Sequence, residues 1–280
     1  MIGLGRLGKA LGRLFIARHL GQIQAIHSIR RTNVVEFTSE IGQGQVYEDV
    51  LEMPHAAMTI ITTPDDNIEE VAHRLSKNPF LKQGDIVIHC SGVLSSNILA
   101  SMRERGCFIA SVHPLKSFTH TIVNQNDCLG TYCAIEGDEG AIKPLEVIFK
   151  GLGFIPFIIE SDKKVLYHSG AVFASNYLVT LLHEAINGMK KAGVNHQMAK
   201  ELVLSLMQGT LNNLKQQEAA DALTGPLARG DVETIASHLT QLGSSKSLYQ
   251  ALAMATLPLT NHSEETLRQL AKLFSDLKAL

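Results

Sequence analysis

A doubly wound α/β sheet followed by an all-helical domain is the fold this sequence predicts. Three observations carry that reading. Short, continuous apolar runs alternate with helical patterns over the first 160 residues, a glycine-rich segment opens the chain just ahead of a helical pattern, and no strand-like run recurs beyond Asp162. Apolar runs that are continuous rather than alternating suit strands buried on both faces. Alternation of such strands with helices builds a mostly parallel sheet with helices on each side.

The elements follow in order. Lys9 to Phe15 has a helical pattern, and a strand is expected around Ala25 to Ile29. Met58 to Thr62 is β-branched and ends at Pro64, and Asp85 to Cys90 ends at Ser91-Gly92. Cys107 to Val112 ends at His113-Pro114, Thr131 to Ile135 ends at Glu136-Gly137, and Phe154 to Ile159 forms one more run. Helical stretches lie between them, Asn67 to Leu75 and Asn97 to Glu104 among them. Lys164 to Ala192 reads as one long helix stopped by Gly193, with small residues at its centre: Ser169, Gly170, Ala171, Ala174 and Ser175. A helix apolar nearly all round is expected to be buried. Further helices are expected at Gln197 to Gln216, Asp231 to Leu242, Lys246 to Leu257 and Glu264 to Leu277. The domains are therefore set at 1–160 and 161–280, with no flexible linker between them.

Composition narrows the function. The 280 residues are 45% hydrophobic and 19% charged, with a formal net charge of −2, which provides no basic field to recruit nucleic acid or anionic lipid. No uninterrupted apolar run reaches the roughly 18 residues of a membrane span. Arg6, Lys9, Arg13 and Arg18 interrupt any signal-peptide core. The four cysteines form no CxxC pair, as expected of reduced packing residues in a cytoplasmic protein. Metal chemistry is not expected, since HExxH and zinc-type Cys/His spacings are missing. Neither GxSxG nor a Walker loop occurs.

Gly3-Leu4-Gly5-Arg6-Leu7-Gly8 is a GxGxxG segment. In a Rossmann-type domain such glycines allow a tight turn, close approach of a pyrophosphate, and packing of helix on strand. The helix N-terminus then offers unpaired N–H groups to the phosphates. About 20 residues on, NAD sites place an acid for the ribose hydroxyls. Here the chain reads Ser28-Ile29-Arg30-Arg31, with two guanidinium groups suited to the 2′-phosphate of NADP. NADP is therefore expected over NAD. Only Met1 and Ile2 precede the first glycine, so the first strand is expected to be cut short, or to start upstream, and to hold the glycine turn weakly.

Ligands of open α/β sheets bind at the carboxyl ends of the strands. Three such ends carry candidates: Thr62-Thr63-Pro64, Ser91-Gly92, and His113 with Lys116. His113 suits proton transfer near neutral pH, and Lys116 suits a carbonyl or carboxylate. Asp65, Asp66 and Asn67 read as helix-capping residues. His168 and Asn176 lie eight residues apart on the long helix and would share a face. Arg229, in a turn-rich loop, could reach an anion.

Several segments together resemble a known family. They are GLGRLG at Gly3, TTPDD at Thr62, CSGVLSS at Cys90, HPLKSF at His113, AIEGD at Ala134, YHSGAVFASNYLVTLL at Tyr167 and LTGPLARGD at Leu223. The chain is similar to Rossmann-like proteins carrying a DUF2520 helical domain, relatives of 6-phosphogluconate dehydrogenase-type and coenzyme-F420-dependent NADP oxidoreductases. The resemblance implies a two-domain fold, a nicotinamide site in the cleft and a homodimer through the helices. More distant hydroxyacid dehydrogenases carry a Lys four residues before an Asn on the long helix. Asn176 matches that Asn, but position 172 is Val. Prephenate dehydrogenases share His-Pro after a strand, which makes His113 the first proton-transfer candidate and His168 the second. The expected function is an NADP-dependent oxidoreductase acting on a small polar, anionic substrate. The alternative is a non-catalytic dinucleotide-binding sensor or scaffold.

Overall fold

The computed structural model of the chain describes residues 1–118 and 126–275, without the side chains of 31–33. It divides into two compact units, Met1–Ser175 and Asn176–Leu280.

The first unit contains strands β1 (Ala25–Ile26), β2 (Gln45–Val46), β3 (Met58–Ile61), β4 (Ile86–His89), β5 (Phe108–Pro114), β6 (Tyr132–Gly137) and β7 (Ile155–Ile158). Its helices are α1 (Arg6–Ala17), α2 (Arg31–Ile41), α3 (Ile68–Leu75), α4 (Ala100–Arg103), α5 (Glu139–Gly151) and α6 (Lys164–Ala174). Strands β3 to β7 lie side by side in sequence order. All of these neighbours are parallel except β5 and β6. Strands β1 and β2 form a separate parallel pair.

Met1–Gly3 joins the two groups. Ile2 bridges in parallel to both His27 and Ile61. Four backbone hydrogen bonds hold the segment: Ile2 N to Ile60 O (2.9 Å), Thr62 N to Ile2 O (2.7 Å), Gly3 N to His27 O (2.8 Å) and His27 N to Met1 O (2.9 Å). The spatial order is thus β2, β1, Met1–Gly3, β3, β4, β5, the doubly wound arrangement whose order reverses at the glycine turn. The expectation of a weakly held turn is corrected. Short as it is, this strand is paired on both sides, and Ile2 is fully buried.

Both sheet faces are covered, which is why the strands read as continuous apolar runs. Ile60, Ile88, Val112 and Ile135 pack with Leu11, Leu14, Leu145 and Phe149 of α1 and α5. Their neighbours Ile61, Val87 and Ile109 point the other way, onto Ile68, Leu75, Leu99 and Met102.

The second unit contains helices α7 (Asn176–Lys191), α8 (His196–Leu214), α9 (Ala219–Ala222), α10 (Pro226–Arg229), α11 (Val232–Gln241), α12 (Lys246–Thr256) and α13 (Glu264–Phe274), with no strand among its described residues. Helices α7 and α8 meet at Ile186, Ala199 and Val203. Helices α11 to α13 share Ile235, Leu239, Ala253, Leu270 and Phe274. Asn195 and Ser263 cap α8 and α13 with their side-chain oxygens.

The single long helix expected from Lys164 to Ala192 is corrected. Ser175, at φ −118° and ψ −68°, ends α6 and separates it from α7. The break falls between His168 and Asn176, so the shared-face spacing, which assumed one continuous helix, does not apply. The expected burial is not seen either: Val165, Leu166 and Val179 are 62%, 70% and 66% exposed. A helix face is buried only where another apolar surface packs on it, and among the described residues these side chains have no such cover. By length and composition an 18-residue window within Ser161–Lys191 could cross a bilayer, with a mean hydropathy of 1.2. Counting uninterrupted apolar runs missed this, because His168 and Asn176 punctuate it. Such a composition does not mark a membrane span by itself, since the core helix of a soluble protein passes the same test. The compact units part at Ser175 rather than near residue 160, because α6 is anchored to the sheet at its first residue.

Candidate functional site

A cleft of about 1390 Å³ opens at the carboxyl ends of Met1–Gly3 and β3. Gly3, Leu4, Gly5, Arg6 and Leu7 line one wall. Gly3 sits at φ +92°, and a Cβ there would lie 2.8 Å from the Thr62 carbonyl carbon and Thr63 N, so only glycine makes this turn. A Cβ on Gly8 would lie 2.5 Å from both Gly3 O and Thr62 Oγ1. Gly8 therefore packs behind the wall rather than lining it. Gly5, by contrast, faces open space. It is the N-cap of α1, whose first turn has no side-chain cap and no acid. The unpaired N–H groups and positive dipole end of α1 suit an anion at this point.

Ser28 and Arg30 line the far end, where Arg30 is exposed and precedes α2. The side chain of Arg31 lies outside the described residues. Arg13 also borders the cleft, with its guanidinium engaged by Glu40 at 2.5 and 2.8 Å. On the opposite wall are Thr62, Thr63, Pro64 and Ser91. Thr62 Oγ1 donates to Gly3 O at 2.8 Å, clamping the two turns together. Thr63 Oγ1 is buried and finds no hydrogen-bond partner among the described residues, as expected of a polar atom awaiting a ligand. Ser91 Oγ donates to Asp65 Oδ2 at 2.8 Å and accepts from Val93 N and Leu94 N. Asp65 thus braces the Ser91 turn, a role its reading as a capping residue had missed. The cradle that a Cβ would fill and the orphaned Thr63 hydroxyl fit a dinucleotide.

Gly92 does not line the cleft. A Cβ on it would lie 2.5 Å from His168 Nδ1 and 2.9 Å from His113 Nε2. The Ser91-Gly92 turn thus has the cleft beside Ser91 and two histidine rings against Gly92. His113, on β5, shares a 3.0 Å hydrogen bond through Nδ1 with Tyr167 Oη. Its ring centroid is 5.8 Å from that of His168, edge to face. His168 Nδ1 is buried with no hydrogen-bond partner among the described residues. Burial, with the charges of Lys164 and His168, pushes the His113 imidazole down to about 4. His113 is therefore neutral at pH 7. Burial also raises the Tyr167 phenol to about 12, so it stays protonated. In the tautomer whose Nδ1 accepts the Tyr167 hydroxyl, Nε2 carries the ring proton.

Beneath this group lies a buried charge pair. Lys164 is 1% exposed and Glu136 1% exposed, with Nζ to Oε1 at 3.4 Å. Lys164 Nζ also donates to Ser111 Oγ on β5. Glu136 further accepts from Ser96 N and Ser96 Oγ, both at 2.7 Å, and from Ser161 Oγ at 2.6 Å. Burial pulls the Lys164 ammonium down to about 8 against the opposing pull of Glu136. Sequence reasoning missed Lys164, Glu136, Ser111 and Tyr167 as site residues. The available signal was Lys164 at the start of an otherwise apolar helix, with Glu136 and His113 each near the carboxyl end of an apolar strand.

The other candidates lie elsewhere. Lys116 is exposed, away from the His113 ring contacts and outside the cleft lining. Asn176 is exposed at the start of α7, in the second unit. Arg229 is ion-paired with Asp231 at 2.7 Å.

Comparison with known proteins agrees with this architecture. Residues 1–114 match the Rossmann-like domain family and residues 131–256 match DUF2520, a domain of unknown function. No curated protein matches the sequence. Protein TM1727 from Thermotoga maritima has 26% identity and a TM-score of 0.72, over 95% of this chain and 98% of that one. A Bacteroides fragilis protein described as a candidate NADP oxidoreductase has 20% identity and a TM-score of 0.74, over 92% and 96%. An imine reductase from Myxococcus stipitatus in complex with NADP+ has 14% identity and a TM-score of 0.62, over 92% and 90%. Each part of the chain thus matches its own domain model, Rossmann-like for residues 1–114 and DUF2520 for 131–256, and the fold is shared with these solved structures.

Proposed function

We propose that this Rossmann-like and DUF2520 protein is an NADP-dependent oxidoreductase acting on a small polar, anionic substrate, with His113 moving the proton. The observation that carries the reading is the packing of His113 and His168 against Gly92, one residue from the cleft-lining Ser91, with Tyr167 hydrogen-bonded to His113. Neighbouring folds named for NADP chemistry support it. Arg30 at the cleft, with no acid among Ser28–Thr32, favours NADP over NAD. The Gly5 end of α1 would hold the pyrophosphate, and Thr63 would donate or accept at the bound cofactor.

When bound, the nicotinamide supplies or accepts a hydride. The chain's own residues do the rest. In the reductive direction neutral His113 gives its Nε2 proton to a substrate oxygen or nitrogen as Nδ1 takes the Tyr167 hydroxyl proton. The phenolate so formed regains a proton from solvent after the step. In the oxidative direction each proton moves the opposite way, with His168 packed edge-on against His113. A homodimer through the helices belongs to the same proposal, supported by the exposed Leu202 and Leu206 of α8.

The test is NADPH oxidation against a panel of oxo acids and imines, and NADP+ reduction with hydroxy acids. His113→Ala should lower turnover by about 100-fold or more while leaving NADP+ affinity intact. Retained turnover would remove His113 from the chemistry. Cofactor binding without turnover across the panel would favour the sensor reading instead.

A further inference from the structure

Fully buried lysines are rare, and a buried ion pair is seldom more stabilising than apolar residues of the same volume. Lys164 and Glu136 therefore need a reason beyond stability. Their placement supplies one. Ser111 and His113 are two apart on β5 and so point to the same face. Lys164 and Tyr167 are three apart on α6 and lie on one helix face. The helix meets the strand at two rungs, Lys164 Nζ to Ser111 Oγ and Tyr167 Oη to His113 Nδ1. The first rung is held from below by Glu136, which also gathers Ser96 and Ser161. Ser111 Oγ in turn donates to Ser91 O at 3.4 Å, reaching the turn that borders the cleft.

We propose that Lys164 is the positioning residue of this site: its rung to Ser111 and Glu136 sets the register of α6 on β5, so that Tyr167 and His168 meet His113. The proposal rests on the oxidoreductase reading for its purpose, but not for its geometry. Moving α6 by one residue would turn Tyr167 away from His113 by about 100°, while the cleft and its glycine turn stayed intact. Lys164 also adds, after burial itself, to the electrostatics that hold His113 neutral. Titratable groups on or next to the elements around His113 are His89 on β4 and Cys90 just past it, Tyr132, Cys133 and Glu136 on β6, and Lys164, Tyr167 and His168 on α6. Of these, the charges of Lys164 and His168 disfavour protonated His113.

The experiment is NMR titration of the His113 ring, with NADP+ affinity as the control for an intact cleft. Lys164→Met alone would strand the Glu136 carboxylate, so the variant is Lys164→Met combined with Glu136→Gln. A second variant, Ser111→Ala, removes the rung from the strand side and leaves both charges paired. In the double variant the His113 midpoint should rise from about 4 by roughly one pH unit or more as the positive neighbour is lost. In both variants the proton–proton contact between Tyr167 and His113 rings should weaken, with NADP+ affinity changed less than about twofold. Unchanged contact and midpoint in the folded variants would overturn the proposal. Because these readouts need no substrate, they separate it from the oxidoreductase reading, which stands or falls on turnover by His113→Ala.

Discussion

Replacing Gly92 by alanine separates positioning of the histidines from binding of the cofactor. Gly92 is not among the glycines with positive φ, so its backbone accepts alanine without strain. The new methyl would start 2.5 and 2.8 Å from His168 Nδ1 and Cε1 and 2.9 Å from His113 Nε2, where ordinary contact begins at 3.4 Å. Each ring must therefore move by about 0.5–1 Å, which ring ends achieve by side-chain rotation at small cost. The 3.0 Å bond from His113 to Tyr167 is stretched or lost, costing about 1 kcal/mol of stability. For turnover the effect is larger, since a misplacement of about 1 Å costs about 100-fold, or about 2.7 kcal/mol of barrier. The assay is steady-state NADPH oxidation beside NADP+ titration and a thermal melt. The expected result is a collapse of kcat/KM with unchanged cofactor affinity. Wild-type turnover in Gly92→Ala would show that the two rings do not need this geometry. Cofactor affinity falling in step with turnover would put Gly92 in the dinucleotide site instead.

Three further outcomes are expected. Arg30→Ala should weaken NADP+ by about tenfold or more, the worth of one charge-assisted hydrogen bond, and leave NAD+ nearly unchanged by calorimetry. Equal loss for both would show that Arg30 does not read the 2′-phosphate. Stability should fall on acidification because His89 and His113 are held near 4, below the usual 6.5. The unfolded chain takes up their protons first, so their contribution is complete above about pH 6.5 and lost as pH falls toward 4. Urea titrations at several pH values should find a loss of up to about 3 kcal/mol per histidine, and a flat profile across that window would refute it. Leu206, 68% exposed on α8, should lie in the homodimer interface. Leu206→Glu should then halve the mass seen by light scattering, and a wild-type protein already monomeric at micromolar concentration would refute that interface.

The Ser161–Lys191 stretch shows how far local pattern reaches. Its apolar composition correctly marked a helical region, yet it could not say that Ser175 would break it or that Val165 and Leu166 would face outward. Helix formation is local, whereas burial depends on what else is present to pack against. The strand ends were legible for a similar reason. Continuous β-branched runs closed by Pro64, Gly92 and Pro114 mark where a buried strand must stop, and ligand-binding loops begin there. By itself, then, the sequence determined the doubly wound sheet, the helical second unit, the glycine turn and the place of His113. Tertiary structure alone decided that Met1–Gly3 is paired on both sides, that Gly92 seats two histidines, and that Lys164 lies buried on Glu136 and Ser111. Periodicity reports which face a residue takes on its own element. The partner of a buried charge 28 residues away is fixed only when helix and sheet close on one another and exclude the water that would otherwise solvate both.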